Sequence, residues 1–370
     1  MSERDQKTSR GRAGTTRLAR AALIPHRAAP PRVLSQAPAR PMTTQPQLNL
    51  LLGATRELDL TRSNDFVRAL LRRLAEDPEP IFRATVSGLP RTRRSLATIG
   101  LITHFMVRDH IDAGHLSVDE AYLIFLCIVF VLVIDDHMDT VLDPAVTPVE
   151  EVEGYTRRLL HACRAEGSPG DADPIIRIIQ EIGARLRRYP AYDAYRGVYL
   201  QALASMLDGM IQEYRHRDPH AVNLDHYMTY ASHSVGITLG LTASLILLGD
   251  RALVAHIDRL WVVYEIVAAI IRFANDIRSY ERELAEGKFS SFQLAAKKYG
   301  IALDEVNFNQ HDIIRIIRAM MVAEVYDLKD ALQYLHSAGA RFEAIIINAV
   351  LGVVSLYEIA DFHTLRLEDP

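Results

Sequence analysis

From about residue 55 onward, apolar side chains recur every three or four positions, the period of a helix with one buried face. The pattern predicts helices over 58–76, 94–112, 118–142, 148–166, 173–188, 191–216, 224–249, 252–286, 289–299, 309–336 and 339–360. Turn-type sequences separate them: "SPGDADP", "RDPHAVN", "LLGD" and "SAGA". Strand alternation is nearly absent. The expected fold is all-α, a single antiparallel bundle of about ten helices.

Three stretches are apolar on every side: 121–134, 235–248 and 344–357. Each is about 14 residues long, short of the roughly 18–20 that cross a bilayer, so buried core helices are expected and no transmembrane segment. The first, "AYLIFLCIVFVLVI", runs straight into Asp135, Asp136 and Asp139.

Composition narrows the setting. The 370 residues are 49% hydrophobic and 24% charged, as in a globular protein. Residues 1–41 hold eight Arg and one Lys against two acids, +7, so the remainder carries −11 to reach the formal −4. An acidic body argues against a nucleic-acid partner. If it handles an anionic substrate, metal ions must stand between the two. Cys127 and Cys163 have neither a disulfide framework nor a zinc spacing, which points to a reducing, cytoplasmic setting. Residues 1–46 are rich in Arg, Ala, Pro, Ser and Thr and lack an apolar signal core. They are expected to be a disordered extension, a translated segment ahead of a start at Met42, or a transit peptide that would imply a plastid. Residues 47–370 are expected to form the folded domain.

The chemistry-bearing residues sit where apolar helices turn polar. Asp135 and Asp139 are one helical turn apart and share a face, with Asp136 beside them. Carboxylates there are costly unless they meet cations. Oxygen-only ligands suit magnesium, which often sits between carboxylates and a phosphate. A solvated helix end would carry the same letters. The second stripe follows "LWVVYEIVAAII". In "RFANDIRSYERE", Asn275, Ser279 and Glu283 fall at i, i+4 and i+8, a line of oxygen donors that can chelate one hard cation. An amphipathic surface is the plainer reading of that stripe taken alone.

Together, the two motifs resemble those of the class I terpene synthases. "DDHMD" fits the family's DDxxD motif, and "NDIRSYERE" fits (N/D)Dxx(S/T)xx(K/R)E at every constrained position, including Arg282 before Glu283. The separation of about 140 residues also matches, and the resemblance spans roughly 55–365. It implies a helical bundle with the motifs facing each other across the mouth of an apolar active-site cavity. It further implies Asp135, Asp136, Asp139, Asn275, Ser279 and Glu283 as ligands of Mg2+, three ions in the family, and an isoprenoid diphosphate as substrate. Loss of the diphosphate would leave an allylic cation in a dry pocket. By spacing, Ile128, Val131 and Leu132 are candidates for the wall. Phe105, Phe125, Phe273, Tyr264 and Tyr357 are candidate aromatic contributors, although plain core packing is open to each.

Some features depart from the bacterial members. These often carry an Arg some 45 residues before the second motif, where this chain has Ala231 and Ser232, and a C-terminal Arg-Tyr pair that "LYEIADFHTLRLEDP" lacks. Others resemble plant enzymes. Arg272, three residues before Asn275, resembles RxxND and is expected, with Arg282, to hold the leaving diphosphate through charge-assisted bonds. "SHSVG", with Ser232, Ser234 and Gly236, resembles the helix break of plant diterpene synthases, and Asp361 to Thr364 resembles their C-terminal segment. "RTR", Arg91 and Arg93, resembles an upstream Arg pair at a longer spacing. No DxDD motif occurs, so a protonation-initiated class II site is not expected. A labdane-related enzyme acting on a twenty-carbon diphosphate, geranylgeranyl or copalyl-type, follows as the expectation, with farnesyl diphosphate as the alternative. An isoprenyl diphosphate synthase would need a second aspartate-rich motif. A non-catalytic helical binding protein would lack magnesium-dependent diphosphate release. The expected assembly is a monomer or homodimer.

If residues 1–41 lie outside the folded unit, a chain begun at Met42 should keep its activity and thermal midpoint. A large loss of either would tie that segment to the site.

Overall fold

The computed structural model describes residues 60–142, 146–165, 172–301 and 310–359. Thirteen α-helices run through them: α1 Leu60–Ala75, α2 Pro80–Gly88, α3 Pro90–Asp112, α4 Val118–Thr140, α5 Val149–Arg164, α6 Pro174–Leu186, α7 Tyr192–Arg215, α8 Leu224–Ser234, α9 Ile237–Leu248, α10 Ile257–Ala285, α11 Ser291–Tyr299, α12 Gln310–Leu332 and α13 Arg341–Ile359. Short 3₁₀ turns, Ala252–His256 and Ala338–Ala340, precede α10 and α13. No strand occurs among the described residues, as the helical periodicity leads one to expect. All of these helices fall within one compact unit, Thr44–Pro370. The boundary expected at residue 46 and the segment Asp361–Thr364 lie outside the described residues.

The architecture is organised around α4. This helix is rich in Val and Ile, which are mediocre helix formers, so packing rather than propensity keeps it helical. Every residue from Ala121 to Val131 is buried. A helix apolar on all sides must be enclosed, and α1, α3, α6 and α9 surround it. A capping box starts it cleanly: Ser117 Oγ accepts from the Glu120 N–H, and Glu120 reaches back to the Ser117 N–H. On the opposite wall, α10 contacts α8, α9, α11, α12 and α13.

The structure differs from the pattern-based spans at definite places. Helix α2 is an additional element, and α3 starts at Pro90 rather than residue 94. Pro80 and Pro90 each occupy the first turn of a helix, where a missing N–H costs nothing, and Leu89 is extended because a proline follows it. The span 224–249 is two helices, α8 and α9, bent by 44°. Gly236, in the left-handed region at φ 64°, breaks it. The apolar run 344–357 belongs to a longer stretch, Ala338–Glu358, the only single described helix long and apolar enough to cross a membrane. That stretch contacts α3, α9 and α10 and is 56% buried, which suits a core helix.

A buried charge knot fixes the base of the bundle. Arg185 of α6 grips Asp77, in the α1–α2 turn, with both guanidinium arms at 2.7 Å, and Tyr122 of α4 donates to the same carboxylate at 2.8 Å. Burial raises the Asp77 pKa, but the bonds from Arg185, the Glu79 N–H and Tyr122 outweigh it and hold the carboxyl below its usual range. Arg185→Met should therefore cost about 3–5 kcal/mol in chemical denaturation, because it leaves that carboxylate unpaired. The paired carboxylate stabilises the fold at neutral pH, and this contribution should be lost as the pH falls below about 4. Asp77→Asn should flatten that acid limb. A variant as stable as wild type with an unchanged acid limb would show that the knot contributes nothing.

Candidate active site

Between α3, α4, α7, α8, α9, α10 and α13 lies a cavity of about 510 Å³. Ile102, Ile128, Val131, Leu132, Met210, Ile237, Ile271 and Val353 supply apolar wall, and Asp135, Asp139, Asn275 and Glu283 share a polar end with Arg91, Arg282, Glu286 and Lys288. The structure thus brings the two sequence motifs, about 140 residues apart, to one opening. Ser234, Gly236, Arg272 and Tyr357 also line the cavity. Ser232 does not; its hydroxyl bonds back to the Met228 carbonyl at 2.6 Å, one turn earlier on α8. Phe105, Phe125, Phe273 and Tyr264 are core residues outside the wall. The rings that do line it are Tyr214, Tyr227, Tyr230, Phe289 and Tyr357.

The three oxygen donors of α10 converge. Ser279 Oγ lies 2.9 Å from Asn275 Oδ1 and 2.7 Å from Glu283 Oε1. Tyr357 of α13 accepts from Asn275 Nδ2 at 3.0 Å, which turns the amide oxygen toward Ser279. Glu283 Oε2 is buried without a hydrogen-bond partner. Burial first, and then the charge of Asp276, push the Glu283 carboxyl up to about 7. An orphaned carboxylate oxygen beside an amide oxygen and a hydroxyl fits a hard divalent cation. Among the described residues no three His, Cys, Asp or Glu gather at one point. The converging set instead draws on an amide and a hydroxyl.

Across the opening, burial and the neighbouring Asp139 raise Asp135 to about 7. Asp139 accepts from Arg91 at 2.7 Å and from Lys288 at 2.6 Å. Asp136, expected among the ligands, turns away from the cavity. It accepts from the Thr92 N–H at 3.1 Å and from its hydroxyl at 3.3 Å, at the start of α3. A carboxylate at a helix N-terminus satisfies free N–H groups and meets the positive end of the helix dipole, so Oδ2 braces α3, while Oδ1 is buried without a hydrogen-bond partner.

Arg272 lines the cavity and is engaged by side chains of the protein. Its guanidinium pairs with Asp276 at 2.7 Å and Glu213 at 2.8 Å. It reaches Ser234 Oγ at 3.4 Å, donates to the Tyr227 hydroxyl, and lies 5.1 Å from the centre of that ring. Tyr227 in turn donates to Asp276 at 3.2 Å, and the Ser291 N–H donates to Asp276 at 2.8 Å. The donors expected to face an anion are engaged by two carboxylates, because a buried cation must be matched locally. The knot ties α10 to α7, α8 and α11.

The break between α8 and α9 follows from close approach. A Cβ on Gly236 would lie 2.5 Å from Val131 Cγ1, and one on Gly209 would lie 2.6 Å from the Tyr230 carbonyl oxygen. Glycine at Gly209 lets α8 press against α7, and glycine at Gly236 lets the α8–α9 junction press against Val131 of α4.

Comparisons with known proteins agree with this geometry. Residues 126–315, more than half the chain, match the family model described as terpene synthase family 2, C-terminal metal binding. No curated protein matches the sequence significantly. Among solved structures, the SVS_A2 protein from ancestral sequence reconstruction is similar at TM-score 0.59 and 13% identity, over 84% of this chain and 88% of that one. Wild-type cucumene synthase matches at 0.57 and 13%, over 82% and 97%. Aristolochene synthase from Penicillium roqueforti matches at 0.51 and 15%, over 81% and 95%. At these identities the likeness is one of fold.

Removing the cation from the Arg272 knot should be destabilising first. Arg272→Met leaves Glu213 and Asp276 unpaired and should lower the unfolding free energy by about 3–5 kcal/mol. The double variant with Glu213→Gln should recover part of the loss. An Arg272→Met protein of wild-type stability would show that the guanidinium is free to serve substrate.

Proposed function

The chain belongs to the terpene synthase family, and from that premise we propose that it is a magnesium-dependent class I enzyme acting on an isoprenoid diphosphate of twenty carbons. The observation that carries this reading is the convergence of Asn275, Ser279 and Glu283, with its unpartnered oxygen, opposite Asp135 and Asp139 over an apolar cavity.

In this proposal Asp135 and Asp139 hold Mg2+ from one side of the mouth, and Asn275, Ser279 and Glu283 hold it from the other. When bound, the metal neutralises the diphosphate and makes it a good leaving group. The chain does the rest. Ile128, Val131, Leu132 and Ile237 exclude water and fold the hydrocarbon so that one double bond approaches the ionising carbon. Tyr227, Tyr230, Phe289 and Tyr357 present ring faces that favour a passing positive charge. Tyr357 also fixes the orientation of the Asn275 amide. The twenty-carbon assignment is supported by the serine-and-glycine break at Ser234 and Gly236, which resembles that of diterpene synthases. A fifteen-carbon substrate is the competing outcome.

Incubation of the protein with ten-, fifteen-, twenty-carbon and copalyl-type diphosphates plus magnesium, with products read by mass, tests the substrate. Asp135→Ala should abolish product formation and diphosphate release while leaving the helical circular dichroism unchanged, and chelator should do the same to wild type. Full turnover in either case would overturn the metal-dependent mechanism. Turnover of farnesyl diphosphate alone would replace the twenty-carbon assignment.

A further inference from the structure

Two cations share one oxygen at the mouth. Arg91 Nη1, from the first turn of α3, and Lys288 Nζ, from the turn after α10, both contact Asp139 Oδ2, at 2.7 and 2.6 Å. Each also reaches Glu286, at 3.4 and 3.5 Å. Gly287, at φ 72°, allows the chain to turn back after α10 and bring Lys288 to the opening. Both residues line the cavity.

We propose that Arg91 and Lys288 are the diphosphate ligands of this enzyme, and that Asp139 holds them until it engages a divalent cation. The proposal rests on the metal-site reading above and deepens it. In this exchange Oδ2, the oxygen that both cations contact, is the one that would ligate the metal; there it could not keep both at hydrogen-bond distance, and they would be set free. They then stand at the polar end of the cavity near Glu286, which Arg282 also contacts at 3.4 Å, with Asp135 close to Lys288. A dianionic group entering there meets a guanidinium fork and an ammonium already placed. Arg272 cannot fill this role from where it stands, because Asp276, Glu213 and Tyr227 engage its donors. The exchange makes metal and diphosphate binding cooperative: without metal, diphosphate must compete with Asp139 for both cations.

Isothermal titration of the full chain with inorganic diphosphate, with and without Mg2+, tests the exchange independently of turnover. Lys288→Met and Arg91→Met should each weaken binding in Mg2+ by about ten- to a hundredfold, and Lys288→Arg should restore most of the loss. Asp139→Asn should bind diphosphate in the absence of metal about tenfold more tightly than wild type, because the competing carboxylate is gone. The side chains of Lys288 and Arg91 are 43% and 30% exposed, so their replacement should leave the thermal midpoint nearly unchanged. Binding by Lys288→Met and Arg91→Met equal to wild type in Mg2+ would show that both cations only brace Asp139. Metal-free affinity of Asp139→Asn no tighter than wild type would overturn the exchange. Wild-type binding indifferent to Mg2+ would overturn the metal-site reading, and this proposal with it, from the wild-type titration alone.

Discussion

Carboxylates crowded at the ends of two apolar helices are the constraint on which this structure turns. Asp135, Asp139 and Glu283 share one partly dehydrated opening; burial and the neighbouring Asp139 raise Asp135, and burial and Asp276 raise Glu283. Such a cluster persists only with cations at hand. In this structure these are protein side chains, Arg91 and Lys288 on Asp139, while Asp135 and Glu283 are displaced toward neutrality. In the proposed function a divalent ion would relieve both carboxylates, since a nearby positive charge favours their charged form.

The same constraint explains why the helices around the cavity are built unlike one another. Helix α4 is apolar from Ala121 to Ile134 and contributes wall from Ile128 onward before ending in aspartates. Helix α10 carries donors only in its last turns. Helices α8 and α9 replace one straight helix because Gly236 and Gly209 permit a backbone approach that any Cβ would block. Wall, rim and break are thus separate demands on separate segments.

What the sequence disclosed follows the range of the interactions involved. Asn275, Ser279 and Glu283 lie on one helix, so helical spacing alone aligned them, as it aligned Asp135 with Asp139. That logic could not show that Asp136 also reaches the N–H of Thr92, 44 positions earlier at the start of another helix. Nor could it show the surroundings of Arg272: the i+4 pairing with Asp276 was readable, but Glu213 and Tyr227 come from other helices. Lys288 carried no signal, because a lysine in a turn has meaning only beside Asp139, 149 positions away. Aromatic residues were the least legible. Buried rings at helical spacing look alike whether they line a cavity, as Tyr230 does, or fill the core, as Phe125 does. The helix break was marked by "SHSVG", which ends in Gly236, although the helical periodicity ran through 224–249 as one span.

Helix α10 shows how these levels combine. The ligand stripe, Asn275, Ser279 and Glu283, and the pair Arg272 and Asp276 are adjacent lines on one cylinder, since successive residues are turned by about 100°. One line faces the opening. The other anchors the helix through Glu213 of α7, Tyr227 and Ser234 of α8, and the Ser291 N–H that begins α11. The anchor sets one guanidinium against two carboxylates, Glu213 and Asp276, and the charge of Asp276 is felt by the ligand Glu283 beside it. Donors that need not move when charge appears or leaves are worth more than donors that must reorganise. An arginine and an aspartate spent on structure beside the ligand stripe are therefore part of what makes the stripe chemically useful.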